Sequence, residues 1–123
     1  MHGSLIPVLA TSCLVLGCGA SYPVPTQPLA DTESAERSAT ELGAASQPKA
    51  QLHLQLAHEQ LSRAKAAIQG GDNERAAALL VRARSDAELA IALTREENAK
   101  IGAQNATDQS NTQKSTNARQ GGQ

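Results

Sequence analysis

Residues 48–94, PKAQLHLQLAHEQLSRAKAAIQGGDNERAAALLVRARSDAELAIALT, decide the fold. In the first half of this stretch, apolar residues recur at alternating spacings of four and three, at Ala50, Leu54, Ala57, Leu61, Ala64 and Ile68. The second half repeats the pattern at Ala76, Leu80, Ala83, Ala87, Ala90 and Thr94. Such spacing places the side chains in one stripe along a helix. The stretch therefore predicts two helices, each with one face to bury.

The hairpin turn is predicted at Gly70, Gly71 and Asp72, between the two stripes. Paired glycines interrupt a helix, and an Asp can cap the helix that follows. Since so short a turn brings the second helix back along the first, the predicted fold is all-α, an antiparallel Ala-rich helical hairpin. The predicted domain covers residues 31–104.

A short additional N-terminal helix is predicted at residues 32–44, ahead of the hairpin. Ala35, Ala39 and Leu42 would line one of its faces, and Gly43 would end it. Its acidic residues, which would sit in the first turn and complement the helix dipole, are Asp31, Glu33 and Glu36.

Residues 1–30 contain no Asp, Glu, Lys or Arg. Residues 5–17 are largely apolar, but a helix needs roughly 20 such residues to cross a bilayer. The length is instead typical of the apolar core of a secretory signal peptide.

The residues before Cys18 resemble the lipobox of a bacterial lipoprotein signal peptide, with Val15, Leu16 and Gly17 at the cleavage site. The resemblance implies a signal peptide over residues 1–17 and acyl chains on Cys18. Residues 18–30 would then form an extended, Pro-rich tether. Because Gly19 replaces the Asp that retains lipoproteins on the inner membrane, the expected location is the outer membrane, facing the periplasm. The alternative is an ordinary cleaved signal and a soluble secreted protein.

The overall composition excludes several classes of function. The formal net charge of −1 and the single aromatic residue, Tyr22, disfavour nucleic-acid binding. Loss of Cys13 with the signal and acylation of Cys18 would leave no disulfide and no thiolate metal site. Residues 105–123 are mostly Asn, Thr, Gln, Ser and Gly, so a disordered tail is predicted there.

Candidate catalytic groups are few in this sequence. His53 and His58 are five positions apart, about 140° around a helix, whereas paired helical metal ligands prefer a spacing of four. Both histidines are therefore predicted to be exposed, and Arg82 is predicted to pair with Asp86 one turn later. Ser62 and Ser85 lie in no recognisable nucleophile motif. We expect no catalytic residues, no metal and no cofactor.

The hairpin also resembles a family of bacterial envelope proteins, domain of unknown function 4398. The residues that carry the resemblance, within residues 32–104, are Gly43-Ala44, Pro48, Gly71-Asp72, Arg75-Ala76 and Asp86-Ala87-Glu88-Leu89-Ala90. Two positions depart from the family pattern: Asn73 stands where an aromatic residue is common, and Gln47 stands where Ala is usual. Members are often lipoproteins, and the family implies no catalytic residues.

These observations together favour a non-catalytic lipoprotein that presents a helical hairpin to the periplasm as a structural or adaptor module. The expected partners are the membrane, through lipidated Cys18, and an envelope protein, peptidoglycan or a second copy of the chain. A soluble periplasmic binding module is the alternative, and an enzyme is a third hypothesis that a single polar substitution such as His58→Ala would test.

Overall fold

The computed structural model describes residues 21–122 and confirms the all-α fold class. Helix α1 spans Thr26–Glu41, a single 3₁₀ turn covers Ala44–Ser46, α2 spans Pro48–Gln69 and α3 spans Asn73–Gln120. The predicted hairpin is the α2–α3 pair, and the predicted additional helix is α1.

The three helices form an up-down-up bundle. The hydroxyl of Thr32, early in α1, lies 3.3 Å from the carbonyl oxygen of Leu80, early in α3. Farther along both helices, Ala39 of α1 shares a cluster with Ala90 of α3 and with Ala50 at the start of α2. Consequently α1 runs parallel to α3, and both run antiparallel to α2.

The core follows the two stripes in the sequence. All six stripe residues of α3 are buried, as are four of the six in α2, while Leu54 and Ile68 are partly buried. Most buried side chains are Ala, which lets helix axes approach to the short end of the usual 8–10 Å. Leu61 and Leu80 supply the longer apolar side chains of this core.

Helix α1 begins at Thr26, so the predicted boundaries of the tether and of this helix were wrong by several residues. Pro28 lies in the first turn of α1, where its missing N–H costs no intrahelical hydrogen bond. The helix ends at Glu41, before Gly43, whose φ of 90° is in the left-handed region that glycine tolerates. Residues 26–30 therefore belong to the bundle.

The predicted disorder of residues 105–123 was also wrong for the residues described, since α3 continues to Gln120. Adding a residue to an existing helix gains one backbone hydrogen bond without a new nucleation cost. Thr107 and Thr112 also donate their hydroxyls to the carbonyls of Ala103 and Asp108, four residues earlier. Every residue from 102 to 122 is exposed, so this part of α3 extends beyond the bundle.

Candidate functional site

The hairpin turn consists of Gly70, Gly71 and Asp72. Gly70 ends α2 with ordinary helical angles, whereas Gly71 has a φ of 78°. Asp72 caps α3, because its Oδ1 accepts a hydrogen bond from the backbone N–H of Arg75 at 3.2 Å. The turn thus reverses the chain at Gly71 and satisfies an otherwise unpaired donor at the start of α3.

Asp86 is the centre of a half-buried polar cluster between α2 and α3. Nδ1 of His53 donates to its Oδ1 at 2.9 Å, and Nε2 of Gln60 donates to its Oδ2 at 2.6 Å. The predicted pairing of Asp86 with Arg82 was therefore wrong, as was the predicted exposure of His53, whose side chain is 27% exposed. The amide oxygen of the same side chain, Gln60 Oε1, is buried and has no hydrogen-bond partner among the residues described.

Three ion pairs join α1 to the other helices. His58 Nδ1 lies 2.6 Å from Oε1 of Glu36, and Lys65 Nζ lies 2.8 Å from Oε1 of Glu33. Arg84 Nη1 lies 3.5 Å from Oδ2 of Asp31. The prediction that the acidic residues of α1 lie in its first turn was therefore wrong. They instead form ion pairs with residues of α2 and α3. These contacts orient α1 on one side of the hairpin.

Two ion pairs along α3 shift the pKa values of their members. The hydrogen bond and charge of Glu88 raise the pKa of Arg84. In the same way Lys100, 2.6 Å from Glu96, lowers the pKa of the Glu96 carboxyl, and its own pKa is raised in return. Each of these shifts widens the pH range over which the surface group keeps its charge.

The histidines do not share a site. His53 contacts a carboxylate of α3, His58 contacts one of α1, and the His58 side chain is 73% exposed. Over residues 21–122, no group of three or more His, Cys, Asp or Glu side chains is placed to hold a metal ion. Ser85 donates its hydroxyl to the carbonyl of Val81, as an ordinary helical serine does.

A shallow groove of about 430 Å³ lies where α3 leaves the bundle. It is formed by the start of α2 around Pro48 and by the stretch of α3 that contains Leu93, Glu97 and Ile101. Its lining contains both charged and apolar side chains. The groove therefore has a mixed polar and apolar lining.

A family model for a domain of unknown function, DUF4398, matches residues 27–106. This span includes the bundle from the second residue of α1 onward and the first part of the α3 extension. The chain belongs to the DUF4398 family. No curated protein and no solved structure is significantly similar to it.

The two departures from the DUF4398 pattern both form hydrogen bonds at ends of the bundle. The side-chain amide of Asn73 donates to the carbonyl of Tyr22 at 2.9 Å. At the opposite end, the amide of Gln47 donates to the side-chain oxygen of Asn98 at 3.2 Å. Both side chains therefore connect parts of the chain that are distant in sequence.

The predicted lipidation site lies outside the described residues. Cys18 and the cleavage-site residues Val15, Leu16 and Gly17 precede residue 21, as does the predicted signal peptide. Within the part of the DUF4398 chain that the structure describes, no helix is both long enough and apolar enough to cross a membrane.

Sequence reasoning missed the polar contacts that join different helices. Thr32 is buried, and its hydroxyl donates to the carbonyl of Pro28 at 2.7 Å. Its position seven residues before Ala39 is the one signal that could have placed it on the buried face of α1. Nothing along α2 alone indicates that His53 lies opposite Asp86, since that contact depends on the register of the hairpin.

Proposed function

We propose that this protein is a non-catalytic lipoprotein of the outer membrane that presents its three-helix bundle to the periplasm as a structural or adaptor module. The lipobox that ends at Cys18 carries the proposal. Each buried acyl CH₂ contributes about 0.8 kcal/mol, so two or more chains on one residue anchor a protein stably. An acylated Cys18 needs no further lipid contact from the bundle.

The geometry of the bundle supports an anchor at this position. Tyr22 is hydrogen-bonded to Asn73, beside the α2–α3 turn. The link from Cys18 to Ser21 can extend at most about 11 Å. An anchor at Cys18 would therefore hold the turn end of the bundle close to the membrane. Because α1 and α3 are parallel, α3 would point away from the bilayer over about 72 Å for its 48 residues.

The surface chemistry supports an adaptor role. Each histidine of the bundle contacts a carboxylate on a neighbouring helix, and cations and carboxylates alternate over the exposed faces. A mixed-charge helical surface is typical of solvent contact and of protein recognition. The proposal therefore assigns this domain to binding.

Metabolic labelling with a fatty-acid analogue, followed by membrane fractionation, tests the anchor. We expect label on the wild-type chain in the outer-membrane fraction, and neither label nor membrane association for Cys18→Ala. Cys13→Ala is the matched control, since it removes the other cysteine and should leave both readouts unchanged.

An unlabelled wild-type chain in the periplasm or the medium would overturn the anchor and favour the soluble secreted module. Equal labelling of wild type and Cys18→Ala would show that acylation, if present, occurs at another residue. Label in the inner-membrane fraction would contradict the outer-membrane location but not the acylation of Cys18.

A further inference from the structure

One side of the α2–α3 hairpin is not covered by α1. The contacts with α1 come from His58 and Lys65 on α2 and from Arg84 on α3. Asp86 meets His53 and Gln60 on the other side of the seam. We call this second side the open face.

Five leucines share the open face with the polar cluster. Residues separated by three, four or seven positions lie on the same side of a helix. On α3, Leu89 is three residues from Asp86, and Leu79 and Leu93 are each seven away; on α2, Leu56 precedes Gln60 by four, and Leu52 precedes Leu56 by four. Leu52, Leu56 and Leu89 are 55%, 36% and 42% exposed, and Leu79 and Leu93 are partly buried.

The open face carries one pair of opposite charges, Arg82 and Glu59, on its two helices. The contacts of Asp86 place it level with the middle of residues 53–60 on the antiparallel α2. Counting outward from there, Leu89 is level with residues 53–54 and Arg82 with residues 60–61, so they lie within two residues of the levels of Leu52 and Glu59, respectively. Glu59 is 3.8 Å from Arg63 on its own helix and is half exposed.

We propose that the open face binds a second copy of this chain, around a twofold axis parallel to the helices. This axis places α2 of each copy over α3 of the other and creates a four-helix layer. Leu89 of one copy then meets Leu52 of the second, and Arg82 meets Glu59. Leu56 of each copy packs near the centre, over the Asp86 cluster.

A second copy fits this face better than an unrelated helix, because both halves of each contact are present on one surface, as an isologous interface requires. The axis also keeps the two N-terminal ends on the same side, as two chains in one membrane need. From Leu79 to Leu93 the face extends about 21 Å along α3, and it is about 20 Å wide across two helices. Its flat area of about 420 Å² is about half of the roughly 800 Å² of accessible surface that each partner buries in a standard interface, so the proposed interface is a small one.

Cross-linking in intact cells tests the pairing. Two full-length chains with different tags, both carrying Cys13→Ala, are expressed together, one with Leu52→Cys and the other with Leu89→Cys. A short bis-maleimide reagent should join them into a mixed dimer. We expect at least tenfold less product when Val81→Cys replaces Leu89→Cys, because Val81 is 66% exposed but lies about 140° around α3 from Asp86.

Charge reversal provides a second measurement on surface residues. Arg82→Glu in both chains should lower the cross-linking yield at least fivefold, and adding Glu59→Arg should restore it, while circular dichroism shows unchanged helicity. Equal yields from Val81→Cys and Leu89→Cys, cross-links to a different protein, or no product from a folded chain would each overturn the dimer.

The pairing and the anchor can fail separately. The dimer depends on residues of α2 and α3, whereas the anchor depends on Cys18. A chain that carries Cys18 alone resists thiol labelling when it is acylated and reacts when it is not. This control identifies loss of the anchor without reference to the cross-link at Leu52 and Leu89.

Discussion

Thr32 and Thr94 show how polar residues fill a core built for small side chains. Both are buried, and each hydroxyl donates to the carbonyl four residues earlier in its own helix. A buried hydroxyl that is hydrogen-bonded in this way avoids the penalty of an unsatisfied polar group. Thr, which is β-branched and about the size of Val, can therefore be buried at both positions.

Leu80 is the largest fully buried side chain among the residues described. Leu80→Ala should lower the free energy of unfolding by about 2–4 kcal/mol, because it removes transfer energy and leaves a cavity between tightly packed helices. Chemical denaturation followed by circular dichroism measures the change.

The neighbouring Val81 provides the control, since 66% of its surface is exposed. Val81→Ala should change stability by no more than about 0.5 kcal/mol. Equal losses for the two variants would contradict the assignment of the Leu80 face to the core.

At the scale of the elements, the backbone conformation of the α2–α3 turn restricts which residues can stand in it. Gly71→Ala should destabilise the protein by about 1–2 kcal/mol, because a Cβ is unfavourable at a φ of 78° even though no atom lies within 4 Å of its position. Thermal denaturation measures this loss.

Gly70→Ala is the matched variant one residue earlier. Gly70 has a φ of −80°, and a Cβ there would lie 3.5 Å from the nearest carbonyl, an ordinary contact. We expect unchanged or slightly higher stability. A loss as large as that of Gly71→Ala would show that the turn excludes side chains for another reason.

The paired helices could be predicted from sequence because the stripes from Ala50 and from Ala76 report directly which face each helix buries. The positions at which the helices begin and end could not be predicted in this way. Pro28 indicates an extended chain as readily as a first helical turn, and the polar residues after Gln104 carry no apolar pattern to show that α3 persists.

The polar cluster around Asp86 could not be predicted from the sequence for a related reason. Spacing along one helix predicts neighbours on that helix, which led to a pairing of Asp86 with Arg82. Asp86 instead reaches His53 and Gln60 across the seam. Such contacts require the relative register and rotation of two helices, and the stripes fix these only to within about a turn.

At the scale of the whole molecule, the bundle and the distal part of α3 should be energetically independent. Residues 102–122 are exposed throughout. Deleting residues 105–123 should therefore change the free energy of unfolding by less than about 0.5 kcal/mol. The measurement is denaturation of the truncated and complete chains under the same conditions.

Hydrogen exchange separates the two regions within the complete chain. Backbone amides of the bundle, such as those of Ala83 and Ala87, should exchange far more slowly than amides beyond residue 104, which open without disturbing the core. Equal protection along α3 would contradict the independence of its distal part and would indicate a further contact there.

The length of α3 also governs how the molecule moves through solution. A 12.8 kDa chain that contains a helix of about 72 Å experiences more friction than a sphere of equal mass. It should elute early from a gel-filtration column and tumble anisotropically, with the slowest rotation perpendicular to α3. A monomer would then resemble a compact dimer by elution volume, so its mass must be measured by light scattering or sedimentation equilibrium.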